Sequence, residues 1–300
     1  MDHKEQFETV GDGLLVMAPA KINLSLLVAG KRPDGFHELE TIMAKVNYYD
    51  ELLIDPNPKS GIALVCQGPE WAPEGPDNLV YRAARLLLNA CGQSPDIKLT
   101  LRKNIPAGSG LGSASSDAAA TLLGLNQYLG LGLPRRQLAK LAPQLGSDVA
   151  FFLDGPLAFC TGKGENIRKI RKKFPFLAVL ILPALNVSTQ KVYANYVHDQ
   201  TLFNALSEAI NTHIGNDRID LAAKMCANML EKYCFGLESE LAELKAEIET
   251  LCAAPCCLSG SGSAMFCIVE NADREKAAEL RSKIQAATRC KSIIVTENRW

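Results

Sequence analysis

Asn104-Ile-Pro-Ala-Gly-Ser-Gly-Leu-Gly-Ser-Ala-Ser-Ser-Asp-Ala-Ala-Ala-Thr121 decides how the rest of the chain is read, because it passes from loop to helix. Just before it, Ile97, Leu99 and Leu101 alternate with Lys98, Thr100 and Arg102, the period-2 pattern of a half-buried strand that is expected to stop by Pro106. Gly108, Gly110 and Gly112 then let the backbone turn and approach a ligand with no Cβ in the way, and Ser115, Ser116 and Asp117 are expected to start the Ala-rich helix. Such a helix opening presents unpaired N–H groups and the positive end of a dipole, and both favour a phosphate. A plain strand-to-helix turn needs less permissive backbone than the glycines and serines gathered between Gly108 and Ser116. A Walker loop fails, since no Gly-Lys-Ser/Thr closes the stretch. A Rossmann fingerprint is weaker than it looks, since the glycine spacing departs from G-x-G-x-x-G and the acidic ribose reader has no clear candidate.

The chain has 300 residues, enough for two domains, and a formal net charge of -1. No global field draws in nucleic acid or an acidic membrane, so an anion site must be built locally. Ten cysteines are scattered with no CxxC pair, and the adjacent Cys256 and Cys257 do not readily bridge to each other. Reduced thiols and a cytoplasmic setting are expected. Met1 to Asp12 is polar and acidic, unlike a signal peptide, and the longest apolar run, Phe176 to Leu182, is too short to span a bilayer.

In chain order, Leu14 to Met17 and Ile22 to Val28 read as strands on either side of Pro19, the second setting Lys21, Asn23 and Ser25 on one face. By itself that face reads as a solvated sheet edge. Pro33-Asp-Gly35 marks a turn that delivers Phe36 and His37, a ring and an imidazole suited to a flat heterocycle or, more blandly, a core ring and a surface histidine. Residues 41 to 66 supply two or three strands, and Asp77-Asn78 precedes a helix that ends by Gly92. Pro134 opens a short helix closing near Gly146. Asp148 then stands before Val149-Ala-Phe-Phe-Leu153, read as a strand, where it is either a turn residue or a carboxylate held at a site. Gly162-Lys-Gly-Glu165 is a second Gly-rich turn carrying a cation.

The second half runs strand, helices, strand, strand, helix, strand, a β-α-β-β-α-β ferredoxin-like pattern with extra helices, including one over Glu238 to Cys252. Leu258-Ser-Gly-Ser-Gly-Ser263 joins its two middle strands and has the density of Ser and Gly that lines phosphates. The basic stretch Arg168 to Phe174 is taken as the boundary, giving domains 1–170 and 171–300.

Pro19 to Leu24, Arg32 to Leu39, Ile105 to Ala119, Leu145 to Val149 and Leu258 to Ser263 stand in the order seen in the GHMP kinase superfamily, which this chain resembles over nearly its whole length. The resemblance implies an α+β, two-domain fold, with an N-terminal lobe like ribosomal protein S5 domain 2 and a ferredoxin-like C-terminal lobe. It implies ATP and Mg2+ as cofactors. Pro106, Ala107, Gly108, Ser109, Gly110, Leu111, Gly112, Ser113, Ala114, Ser115 and Ser116 would form the ATP phosphate loop, with Ser115 or Ser116 as magnesium ligand. Asp148 matches the family's catalytic aspartate and Lys21 the lysine beside it, with Asn23 in the same cluster. Phe36 and His37 match a pair that sandwiches and reads cytosine, which favours a cytidine diphosphate-linked alcohol as small-molecule substrate. Gly260, Ser261, Gly262 and Ser263 match the third motif near the phosphates. A monomer or homodimer with no nucleic-acid or membrane partner is expected. The rival expectations are a GHMP kinase for a sugar, homoserine or mevalonate-type alcohol, and a catalytically silent nucleotide-binding protein. Ser113 and Ala114 replace glycines usual in the family, so a positive φ at either would be strained. Phe36 replaces a usual tyrosine.

Overall fold

The computed structural model describes residues 4–251 and 255–300. Two long antiparallel strands form its spine: β2 (Gly13–Lys31) and β3 (His37–Pro56), preceded by β1 (Phe7–Val10). The two strands expected around Pro19 are one. Pro19 lies at a register shift between Pro19 and Ala20, where a bulge tolerates the missing N–H, so the proline bends the ladder without ending it. The expectation of a solvated edge for Lys21, Asn23 and Ser25 is corrected by topology. β1 pairs only with Gly13 to Val16, but beyond it the free side of β2 is covered by Leu111, Ser259 and Asn228, and all three side chains are buried.

The first sheet runs β1-β2-β3-β5-β4, with β4 (Ile62–Gln67) parallel to β5 (Ile97–Arg102). The alternation of β5 is as expected, with Ile97, Leu99 and Leu101 buried. β3 pairs twice on its far side: Leu39 to Ala44 with β6 (Leu157–Gly162), and Glu51 to Pro56 with β5. β6 continues into β7 (Asn166–Lys169). The split leaves Lys45 to Asp50 unpaired with either strand, and two of the side chains discussed below come from this gap.

Helices α1 (Leu79–Ala90) and α2 (Ser113–Tyr128) cover one face of this sheet, α1 capped by the Asn78 side chain on the Val80 N–H. α2 begins at Ser113, two residues before the expected start, because Gly112 takes the N-cap position at φ 72°. Ser113 and Ala114 are helical, so the strain foreseen for them does not arise. Two short helices follow, α3 (Arg135–Leu138) and α4 (Val149–Phe152). α4 corrects the strand expected over Val149 to Leu153: a short run of consecutive apolar residues fits a buried helical turn as well as a strand.

The second sheet contains β8 (Leu177–Leu182), β9 (Cys256–Leu258), β10 (Met265–Val269) and β11 (Lys291–Thr296), all antiparallel in the order β11-β8-β10-β9. This is the split βαβ arrangement. Between its strands lie α5 (Thr189–Asn195), α6 (Gln200–Gly215), α7 (Ile219–Lys224), α8 (Glu231–Leu237), α9 (Ser239–Leu251) and α10 (Arg274–Thr288). The expected helix end at Cys252 lies outside the described residues. One core joins Ala20 to Val28 of β2 to this sheet, while Leu14, Val16 and Ala18 of the same strand belong to the other core. Cys226 and Cys257 lie against each other, their Cα atoms 5.1 Å apart, while Cys66, Cys91, Cys160, Cys234, Cys256 and Cys290 are free thiols. The pair is 31 residues apart in sequence and meets only through packing, which spacing does not reveal.

Candidate active site

The Gly-rich loop is held from below by one carboxylate. Asp50, fully buried in the gap of β3, accepts the N–H groups of Asn104 at 2.6 Å and Ile105 at 2.9 Å with Oδ1. Its Oδ2 accepts from the Ser113 hydroxyl at 2.9 Å and from Lys103. Both ends of the loop are thus tied to Asp50. Lys103 also pairs with Asp117 of α2 at 2.6 Å. Burial opposes a charge on Lys103, but Asp117 and Asp50 outweigh it and hold the ammonium above its usual range. Burial likewise pushes Asp117 up, offset in part by Lys103. The sequence marked neither Asp50 nor Lys103 as special. The only available signal was a charged residue in an otherwise apolar strand pattern.

From above, the loop meets the third motif. At Gly110, φ is 78° and a Cβ would run into the Ser259 carbonyl, so only glycine fits. Ser259 Oγ donates to the Gly110 carbonyl at 3.0 Å and accepts the Asn23 N–H at 3.3 Å, while the Ala264 N–H bonds Ser109 O at 3.0 Å. The Lys21 N–H bonds Leu111 O at 2.9 Å. Asn228 Nδ2 holds the motif from behind, donating to the carbonyls of Leu258 and Gly260 at 3.0 and 2.8 Å.

These contacts enclose a cavity of about 900 Å³. On its wall, Lys21 Nζ lies 3.9 Å from Asp148 Oδ2 and donates to Asn23 Oδ1. Asn23 Nδ2 donates in turn to Thr41 Oγ1 at 2.8 Å. Burial lowers the Lys21 pKa, and the Asp148 charge opposes that shift. Asp148 precedes α4 but makes no side-chain cap bond, so its carboxylate is free to face the cavity. The sequence left a turn residue and a site carboxylate as alternatives; Asp148 stands before α4 and also lines the cavity beside Lys21.

At the far end, Phe36 is 54 % exposed, which corrects the bland expectation of a core ring. Lys163 Nζ stands 4.6 Å from its ring centroid. His37 is half-buried and opens β3, its ring 5.2 Å from that of Tyr193 and 5.7 Å, edge-on, from that of Tyr196. Burial, with Lys31 nearby, lowers the His37 pKa. Tyr196 is fixed by its hydroxyl to the Val28 carbonyl at 2.8 Å. Tyr193 and Tyr196 lie around α5, and nothing in their local sequence set them apart from core aromatics.

Other expected site residues divide. Pro106, Ala107, Gly108, Ser109, Gly110, Gly112, Ser113, Ala114 and Ser115 line the cavity, as do Gly260 and Ser261. Leu111 and Ser116 turn inward, the Ser116 hydroxyl buried without a protein partner. Ser263 bonds the Leu185 carbonyl instead of facing the cavity, and Gly262 packs against Cys234. Of the two hydroxyls considered for magnesium, Ser115 is therefore the one on the cavity side.

The family model described as GHMP kinases N terminal domain matches residues 78–156, and GHMP kinases C terminal matches residues 206–289. Fold and site together define a GHMP kinase. The chain is 38% identical over 266 residues to a 4-diphosphocytidyl-2-C-methyl-D-erythritol kinase of Geobacillus sp. (strain WCH70), covering 87% of this chain and 90% of the relative. A crystal structure of 4-(cytidine 5'-diphospho)-2C-methyl-D-erythritol kinase superposes with a TM-score of 0.75 at 33% identity, over 95% of this chain and 100% of that one. The chain belongs to this family of kinases within the GHMP class. A homoserine kinase from Cytophaga hutchinsonii gives the same TM-score, 0.75, at 20% identity over 99% of this chain and 98% of its own, so the fold alone does not select the substrate.

Proposed function

We propose that the chain transfers the terminal phosphoryl group of ATP to the 2-hydroxyl of 4-diphosphocytidyl-2-C-methyl-D-erythritol, a step in non-mevalonate isoprenoid precursor synthesis. The observation that carries this reading is the Lys21–Asp148 pair, 3.9 Å apart, beside the Gly-rich loop and in one cavity with Phe36 and His37. Phosphoryl transfer asks a protein for an oriented hydroxyl, an in-line phosphate and neutralisation of charge on the phosphate oxygens. Asp148 accepts the hydroxyl proton, and the spacing to Lys21 leaves room for an oxygen within reach of both groups. Lys21, steered by Asn23, stabilises the developing alkoxide. General-base help of this kind is worth roughly 10²- to 10⁴-fold. The loop amides at the start of α2 cradle the phosphates.

Magnesium fits the site. Ser115 offers a hydroxyl on the cavity wall, and among the described residues no group of three or more His, Cys, Asp or Glu forms a metal cage. Sparse protein ligation is usual for magnesium, which keeps water and phosphate oxygens. When bound, it neutralises charge between the phosphates. At the other end, Phe36, His37 and Tyr193 hold the cytosine, and Lys163 sits at the edge of this group. We assign the activity to the cytoplasm. No helix among the described residues is long and apolar enough to cross a membrane.

ADP release on adding the diphosphocytidyl alcohol, compared with the same alcohol lacking its cytidine, tests the reading. Rapid release with the first and little with the second is expected. Equal rates would point to a different alcohol, and ATP binding with no ADP from either would leave a silent nucleotide-binding protein.

A further inference from the structure

Lys45 is among the largest fully buried side chains, 1 % exposed, and takes no part in the mechanism above. It lies directly across the β2–β3 ladder from Lys21. The two ammonium groups bracket one short element. Lys21 meets Asp148 at the start of α4, and Lys45 Nζ donates to the carbonyls of Phe152 at 3.0 Å and Asp154 at 2.7 Å where α4 ends. The Lys45 backbone N–H also bonds the Pro156 carbonyl at 2.8 Å. The Phe152 carbonyl ends a helix too short to hold itself, and those of Asp154 and Pro156 lie in the turn that follows, so the donor satisfies acceptors that the helix leaves open. The ring of Phe151 lies 5.9 Å from the ammonium and that of Trp300 6.0 Å, closing the site to water.

We propose that Lys45 is a positioning residue for Asp148: by pinning the last carbonyl of α4 and the turn after it, it fixes where the carboxylate at the helix's other end stands relative to Lys21 and the phosphate loop. The inference rests on the role proposed for Asp148. Burial pushes the Lys45 pKa down to about 7, helped by Arg135 and Lys169 and opposed by Asp154. Removing the ammonium leaves the Phe152 and Asp154 carbonyls without this donor, so a loss of stability accompanies its replacement and is measured apart from the kinetics. The two bonds survive the titration, because a neutral amine still has two hydrogens to donate. The neighbouring cations act differently. Arg135 reaches the Leu153 carbonyl at 3.0 Å from the surface, and Lys169 pairs with the Asp154 side chain rather than with the helix end.

The test is Lys45→Met, which keeps the length and removes the donor, with kcat and both KM values measured in the wild-type and Asp148→Asn backgrounds. A displacement of about 1 Å at a reacting group costs on the order of 100-fold. The expected result is a 10- to 100-fold fall in kcat, about as large as that displacement allows, with both KM values little changed and a lowered thermal midpoint that reports the lost carbonyl bonds. In the Asp148→Asn background the same substitution should leave the residual turnover unchanged. An unchanged kcat in the single variant, or an equal fall in both backgrounds, overturns the positioning role. If Lys45→Met does not fold, Lys45→Leu, which also lacks a donor, is read by the same pair of ratios. A harmless Asp148→Asn would instead sink the proposed role of Asp148, and is distinguishable because that variant is measured alone.

Discussion

At the Gly-rich loop end of the cavity, the groups that anchor the loop are buried and bonded: Asp50 to two backbone amides, Lys103 to two carboxylates, Ser259 to Gly110. At the cytidine end, Phe36 stands in the open on a turn, and His37 leans on two tyrosines from a helical region more than 150 residues away. The first end is set before a ligand arrives, and preorganised groups of this kind lower a barrier because nothing need reorient during the reaction. The second presents an exposed ring and an imidazole beside two tyrosines, which under the proposed function are expected to supply affinity and choice of base. Rate and specificity are therefore expected to separate along the cavity.

Substitutions can break or sharpen that division. Asp148→Asn is expected to show the largest effect, a roughly 10²- to 10⁴-fold fall in kcat with nucleotide binding retained, checked by steady-state ADP release and ADP titration. Asp50→Ala should cost about 3 to 5 kcal/mol of unfolding free energy, because removing one partner leaves the Lys103 charge buried with less compensation. Urea denaturation measures it. A loss below about 1 kcal/mol would mean the loop does not depend on this anchor. Phe36→Ala should weaken binding of the diphosphocytidyl substrate by about 1 to 3 kcal/mol, the value of stacking a base on an aromatic side chain. The KM for ATP should stay where it is, and an equal rise in both KM values would erase the distinction between the two ends. The smallest effect concerns pH. Burial lowers the His37 pKa from 6.5, so the ring is neutral at pH 7 and above. The KM for the cytidine substrate is expected to be flat from pH 7 to 8 and to change only below pH 6.5, and a step near neutrality in the wild type that is absent in His37→Asn would contradict it.

Much of this was readable from residue order. The alternation of β5, the Gly-rich passage into α2 and the β-α-β-β-α-β rhythm of the second half all depend on neighbours in sequence, and all three are present. Local reasoning failed where one pattern serves two structures. Val149 to Leu153 is apolar without a period, so its length and neighbours did not distinguish helix from strand. Pro19 looked like a break until β3 supplied a partner on which a bulge could form. Asp50, Lys103 and Lys45 were passed over because a charge in a strand is ordinary at a surface, and only their burial makes them unusual.

By itself the sequence determined which backbone is permissive, which runs bury a face, and which residue types carry a proton or stack on a base, since these follow from local sterics and side-chain chemistry. Tertiary structure alone decided that Lys21 and Asp148 stand 3.9 Å apart, that Tyr193 joins His37, and that Cys226 meets Cys257. The reason is distance along the chain. Lys21 and Asp148 meet among elements before residue 170 and Cys226 and Cys257 among those after it, while only His37 and Tyr193 join the two halves, and no local preference encodes a contact between segments that far apart.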